Sequence, residues 1–104
     1  MCDFNVLYYD DWGYTAHCGG CNRMQVAFGT VVFSFSGHEF REFSSVIRAQ
    51  SEKCASCADC PVKNMHIRTA DENMLLAFSP QEIHRLNDML QQAFLLREAK
   101  QILQ

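Results

Sequence analysis

Five of the six cysteines in the chain have the spacing of metal ligands. Cys18 and Cys21 form one Cys-x2-Cys pair, and Cys54, Cys57 and Cys60 form a Cys-x2-Cys-x2-Cys run farther along the chain. Two thiolates three residues apart can bind one edge of a tetrahedral ion, at about 2.3 Å per Zn–S bond. Two such pairs complete a four-cysteine site, so the spacing predicts one structural zinc ion.

The preferred ligands follow from the positions of the two pairs. Cys18 and Cys21 precede one predicted hairpin, and Cys57 and Cys60 precede a second one, so these four cysteines are the expected ligand set. Cys54 is the alternative ligand within the second group. A site made only of sulfur is typical of structural zinc, whereas catalytic zinc keeps an open position and usually has histidine or carboxylate ligands.

Two other chemistries use the same residue types and stay open as alternatives. The run from Cys54 to Pro61 partly resembles a ferredoxin motif, and an iron–sulfur cluster would take its fourth thiolate from the first pair. A redox dithiol needs an exposed thiol of lowered pKa, often at a helix N-terminus, but both pairs are predicted to precede strands. Disulfides are expected only if the compartment is oxidising.

The composition is that of one globular domain, residues 1–104. Hydrophobic residues make up 48% of the chain and charged residues 20%, which does not fit a disordered protein. No segment has the basic start and apolar run of a secretory signal, and none approaches 18 consecutive apolar residues. A cytoplasmic location, where thiols stay reduced, is therefore expected.

The charge pattern argues against nucleic acid and membrane partners. The formal net charge is −3, and the nine basic residues are scattered along the sequence. Nucleic-acid-binding proteins usually carry a basic patch, and helices that lie on membranes carry a basic face. A protein partner is the remaining expectation.

The hydrophobic pattern predicts an α+β fold, with an antiparallel sheet of four to six strands and two helices packed on it. Apolar residues alternate in the predicted strands, and a 3.6-residue period follows in each predicted helix. The predicted strands are Phe4–Tyr9, Tyr14–His17, Met24–Phe28, Val31–Phe35, Met65–Thr69 and Met74–Phe78, and the helices run from about His38 to Ser51 and from Pro80 to about Leu103.

The two halves of the chain, 18–52 and 57–103, resemble each other. Each half has a Cys-x2-Cys pair, a predicted hairpin and a helix that opens with Ser and a Glu three residues later, the spacing of a capping box. Ser36 with Glu39 and Ser79 with Glu82 occupy matching places. The pattern indicates an internal ββα duplication, although capping boxes after strands are common enough to match by accident.

The last helix carries more apolar residues than one packed face needs. Phe94, Leu95 and Leu96 are consecutive, and neighbouring residues point about 100° apart on a helix. A contiguous exposed apolar patch usually marks an interface, and a two-fold dimer covers the same patch on both chains. These three residues are therefore predicted to form a homodimer interface, with an ordinary buried terminal helix as the alternative.

Other residues that could carry chemistry give weaker signals. The sequence has no phosphate-binding loop, no HExxH motif and no serine-centred elbow, so an enzyme is less expected than a binding protein. The histidines share no ligand spacing: His38 and His84 are predicted on the solvent side of helix first turns, and His17 ranks below every clustered cysteine. The predicted function is a small zinc-binding interaction or adaptor module.

The run CGGCNRMQVAFGTVVFSFS, from Cys18 to Ser36, resembles a family of short uncharacterised bacterial proteins. Members have one Cys-x2-Cys pair followed by an AFG hairpin, and the later SPQEI helix start also fits. The resemblance spans residues 14–95 and implies a single compact domain, without an activity. The second cysteine group is not a firm part of the family pattern.

Overall fold

The structure is a computed structural model that describes residues 4–54, 59–69 and 71–103, with side chains described to residue 99. Over these residues the protein has two helices, one four-stranded sheet and one two-stranded sheet, which confirms the predicted α+β class. The elements in chain order are β1 Phe4–Asp10, β2 Gly13–Cys18, β3 Met24–Phe28, β4 Val31–Phe35, α1 Gly37–Lys53, β5 Met65–Arg68, β6 Leu75–Phe78 and α2 Pro80–Leu103.

The larger sheet is an antiparallel meander in the order β1-β2-β3-β4. The turn between β1 and β2 is held by Asp10, whose Oδ1 accepts hydrogen bonds from the Trp12 amide at 2.8 Å and the Gly13 amide at 3.2 Å. A carboxylate that caps its own turn in this way is typical of aspartate. Strands β5 and β6 form a separate antiparallel hairpin.

Both helices begin with the predicted capping box. In α1, Ser36 Oγ accepts from the Glu39 amide at 3.1 Å, and Glu39 Oε1 accepts from the Ser36 amide at 2.8 Å. Ser79 and Glu82 make the same two bonds at the start of α2, at 3.1 and 2.9 Å. Each bond satisfies an amide that has no partner inside the helix. The order of hairpin, capping box and helix thus recurs, and the duplication of 18–52 as 57–103 stays an interpretation of that recurrence.

The core lies where the two helices pack against the strands. Its buried side chains come from β3, both helices and the β5–β6 hairpin. Helix α2 supplies the largest share, because its residues repeat on one face with helical spacing. The fully buried large side chains of the two helices are Phe40, Ile47, Ile83, Leu86, Met89 and Leu90.

The two helices run antiparallel, which gives the molecule two distinct ends. At one end, Ser51 near the end of α1 contacts His84 in the first turns of α2. At the other, Gly37 at the start of α1 lies beside Arg97 in α2. We call these the Cys54 end and the Cys18 end, after the cysteine found at each. Thirteen residues of helix separate His84 from Arg97, or about 20 Å at 1.5 Å per residue.

Candidate functional site

The first cysteine pair forms a tight turn at the Cys18 end. Cys18 is the last residue of β2 and is only 1% exposed. Its amide donates to the Arg23 carbonyl at 2.9 Å, and the Asn22 amide donates to the Cys18 carbonyl at 2.8 Å. Asn22 has a positive φ of 56°, a conformation that asparagine tolerates better than most residues. The turn therefore brings Cys21 back over the end of the strand.

Cys21 differs from the reduced thiol that the sequence predicts, because it is disulfide-bonded in the structure. The other three described cysteines, Cys18, Cys54 and Cys60, are free. Cys21 is an exposed residue of its turn. Metal binding requires a thiolate, so this pair could bind an ion through both sulfurs only after reduction.

Polar side chains behind the turn connect it to α2. Asn22 Oδ1 lies 2.9 Å from His17 Nε2 and accepts a hydrogen bond from Arg97 Nη2 at 3.0 Å. His17 and Arg97 are both buried. The His17 imidazole is thus held by Asn22 in the described structure.

A second cysteine lies beside a histidine at the Cys54 end. Cys54 is the C-cap of α1, and its thiol donates to the Gln50 carbonyl at 3.2 Å. Its Sγ is 3.6 Å from Nε2 of His84. Burial raises the pKa of the Cys54 thiol, so the protonated form that donates to Gln50 is the one expected at neutral pH.

His84 is placed differently from the solvent-side position predicted for it. Its ring is half-buried, with Nδ1 2.9 Å from Ser51 Oγ and Nε2 3.2 Å from the Cys54 carbonyl. The physical reason is the antiparallel packing of α2 on α1, which covers the first turns of α2 with the end of α1. A single-helix pattern could not reveal this neighbour. Sequence positions could have indicated this contact, because Cys54 follows the first helix and His84 lies in the first turns of the second.

Cys60 belongs to the same end of the molecule. Its carbonyl accepts a hydrogen bond from the Gln81 amide at 3.2 Å, and Gln81 lies one helical turn before His84. Its thiol is free and half-buried. Among the residues that the structure describes, no three His, Cys, Asp or Glu side chains are grouped closely enough to hold a metal ion. Cys54 and His84 are therefore a pair that needs further ligands.

The structure does not bring together the described members of the predicted four-cysteine set. Cys18 and Cys21 adjoin Asn22, which contacts Arg97, whereas Cys60 contacts Gln81. The sixteen residues of α2 between those two contacts span about 24 Å. The fourth predicted ligand, Cys57, lies outside the described residues. The set stays a prediction, and the proposal below uses the alternative ligand Cys54.

Cys54, His84 and Ser51 are arranged in the order of nucleophile, base and orienting group. A nucleophilic cysteine, however, needs a lowered pKa, usually through a cation or a helix N-terminus. Here burial acts in the opposite direction, and the thiol lies at the C-terminal end of α1. The local electrostatics therefore disfavour a nucleophilic thiolate at Cys54.

The three residues predicted to form a dimer interface lie on the outer side of α2. Phe94 is 38% exposed, Leu95 61% and Leu96 41%. Burying one such side chain completely is worth about 1.5–3 kcal/mol, so a second copy that covered all three would gain stability. The dimer stays a prediction.

Sedimentation at micromolar concentration tests the dimer. We expect a dimer for the wild-type chain and a folded monomer for Leu95→Glu. Leu75→Glu, at a residue of similar exposure on β6, is the matched control and should remain dimeric. A wild-type monomer would rule out this interface.

Comparison with known proteins places the chain in a family. Neither helix, over its described residues, is long and apolar enough to cross a membrane. No curated protein is significantly similar to the chain. No solved structure is significantly similar to it either. One family model matches residues 1–103, nearly the whole chain. The chain therefore belongs to the family of unknown function DUF6686.

Proposed function

We propose that the protein binds one zinc ion at the Cys54 end, and that this ion stabilises a small interaction module working in the cytoplasm, where the Cys21 disulfide would be reduced. The observation that carries the proposal is the 3.6 Å distance between Cys54 Sγ and His84 Nε2. Two ligands of one tetrahedral zinc ion, at about 2.3 Å for sulfur and about 2.05 Å for nitrogen, lie about 3.6 Å apart. The two side chains are spaced as they would be around the metal.

The partner of the other imidazole nitrogen supports the same interpretation. Metal-binding histidines almost always donate their second N–H to an oxygen, which fixes the ring orientation. Ser51 Oγ, 2.9 Å from His84 Nδ1, is such an oxygen. Without metal, Nε2 donates to the Cys54 carbonyl, and the serine hydroxyl donates to Nδ1. If Nε2 bound a metal, the imidazole proton would be on Nδ1, and the same hydroxyl would accept a hydrogen bond from Nδ1–H.

The remaining ligands would come from the cysteine run that begins at Cys54. Cys60 is anchored one helical turn from His84 through its carbonyl bond to Gln81. Cys57 is the other sulfur expected from the spacing. The binding free energy would then add to the stability of the fold.

Zinc binding by purified variants tests this proposal. Reduced wild-type protein should bind one equivalent of zinc, as measured by elemental analysis after gel filtration. Cys54→Ser and His84→Ala should each lose the metal, because each removes one of the two pre-positioned ligands. Cys18→Ser and His66→Ala, changed at the other end and at an exposed histidine, should retain it.

Two outcomes would contradict the proposal. If Cys18→Ser loses zinc while His84→Ala keeps it, the ion is bound by the two Cys-x2-Cys pairs instead. A coloured protein containing iron and sulfide would instead identify a cluster, since zinc proteins are colourless. The mixed sulfur and nitrogen pair favours zinc over a cluster held by four thiolates.

A thiol redox function is the second candidate, and the oxidised state of Cys21 favours it. Cys18, three residues earlier, is a free thiol in the same turn. Thiol counts with and without reductant would separate the two functions. A redox protein should lose and regain thiols reversibly at the Cys18 end, and zinc removal should leave that exchange unchanged.

A further inference from the structure

Arg97 is a buried cation for which the described residues supply no anionic partner. Its side chain is 7% exposed, and Asn22 Oδ1 is its only hydrogen-bond acceptor in the described part of the chain. Its Nε has no partner. No described carboxylate forms an ion pair with it. A guanidinium has five N–H donors, and charged groups are seldom buried unless they are paired.

A second source of positive potential lies against the same guanidinium. Arg97 Nη2 and Nη1 lie 3.5 and 3.8 Å from the position that a Cβ would occupy at Gly37, the first residue of α1. The N-terminus of a helix carries a partial positive charge from its unpaired amides. The capping box satisfies the Glu39 amide, whereas the amides of Gly37 and His38 donate to no described group. The Glu39 carboxylate in this first turn offsets part of the positive charge, and an anion between the helix end and the buried guanidinium would offset the rest.

Hydrogen-bond donors converge beside Gly37. Asn22 Nδ2 lies 3.8 Å from the same Cβ position at Gly37, so a side-chain amide joins the guanidinium there. Glycine adds no side-chain carbon here, whereas a Cβ at position 37 would lie in van der Waals contact with Arg97. Donors of this kind, together with a helix N-terminus, make up the usual surroundings of a bound phosphate or carboxylate.

We propose that a small oxyanion, a phosphate group or a carboxylate, binds at the Cys18 end between Arg97, Asn22 and the first amides of α1. The anion neutralises the buried guanidinium, which donates only to Asn22 among the described groups, and accepts hydrogen bonds from it and from the first amides of α1. This site lies about 20 Å along α2 from the proposed zinc ligands, so it stands or falls independently of them. It adds ligand binding to a fold region where the sequence predicts only metal binding.

Thermal unfolding in different salts tests the site. Sodium phosphate should raise the melting temperature of the wild-type protein above its value in sodium chloride of equal ionic strength. Sodium acetate is the second arm, and a similar rise there would identify a carboxylate site. Isothermal titration with inorganic phosphate should give an affinity that falls about tenfold or more in Arg97→Gln, because charge-assisted hydrogen bonds are lost.

Two further variants keep the result interpretable. Gly37→Ala leaves Arg97 in place but puts a methyl group 3.5 Å from Nη2, so it should fold and still weaken phosphate binding. Arg48→Gln removes an exposed arginine of α1, the helix that begins at Gly37, and this variant should bind phosphate as the wild type does. Equal responses to phosphate and chloride in the wild type, or an unchanged response in both Arg97→Gln and Gly37→Ala, would overturn the proposal.

Discussion

Zinc at about 100 times its dissociation constant is expected to raise the free energy of unfolding by about 2.7 kcal/mol. For a domain of this size each kcal/mol moves the melting temperature by about 4–8 °C, so the midpoint should rise by roughly 10–20 °C. The physical reason is that the metal binds the folded chain, where Cys54 and His84 are already 3.6 Å apart, better than the unfolded one. Thermal unfolding of reduced protein, with zinc and with a chelator, measures the shift.

The variants make this stability test specific. Cys54→Ser and His84→Ala should unfold at the same temperature with zinc and with chelator, because the metal no longer has its first two ligands. His66→Ala alters an exposed imidazole on β5 and should keep the full shift. A zinc-dependent shift that survives in His84→Ala would show that the stabilising ion lies elsewhere.

Local features of the fold were predictable because short segments determine them. The capping boxes at Ser36 and Ser79 involve a side chain and an amide three residues apart, so spacing alone identifies them. The turn at Asp10 is equally local. Alternation of apolar residues gave the strands to within one or two residues, since side chains in a strand alternate between its faces.

The grouping of the cysteines was not predictable in the same way. Treating the two halves as equivalent implied that Cys18 and Cys60 would meet at one ion. In the structure β3 and β4 join β1 and β2 in one sheet, while the β5–β6 hairpin forms a separate sheet, so the hairpins that follow the two cysteine groups are not equivalent. Which strands pair with which depends on contacts between distant segments, and the sequence pattern does not contain that information.

The two proposed sites share the same origin in the helix pair. His84 and Arg97 both lie on α2, and the antiparallel packing of α1 beside it leaves His84 half-buried and Arg97 buried. From the sequence alone both residues read as ordinary polar positions on a helix. Their burial, and therefore their chemistry, depends on where the neighbouring helix begins and ends.

Gly13, the first residue of β2 after the β1–β2 turn, should be the glycine that tolerates substitution least. A Cβ at Gly13 would lie 1.8 Å from the carbonyl oxygen of Ala27 and 2.7 Å from its carbonyl carbon, both backbone atoms of β3. Gly13 pairs with Phe28 in the β2–β3 ladder, so the two strands would have to separate at their first pair. Rotation of a side chain cannot relieve this overlap.

We expect Gly13→Ala to lower the free energy of unfolding by at least about 3 kcal/mol, the upper end of the usual cost of overpacking. That loss corresponds to a melting temperature lower by roughly 12–24 °C. Substitutions at two other glycines distinguish steric overlap from backbone strain. Gly29→Ala places a Cβ in open space but at a φ of +59°, and it should cost about 1–2 kcal/mol through backbone strain alone. Gly19→Ala meets no atom within 4 Å and has no such φ, so its effect should stay within about 0.5 kcal/mol. Urea unfolding of the three variants tests this order of stability losses. If Gly13→Ala were as stable as Gly19→Ala, β2 and β3 would not be in close contact at Gly13.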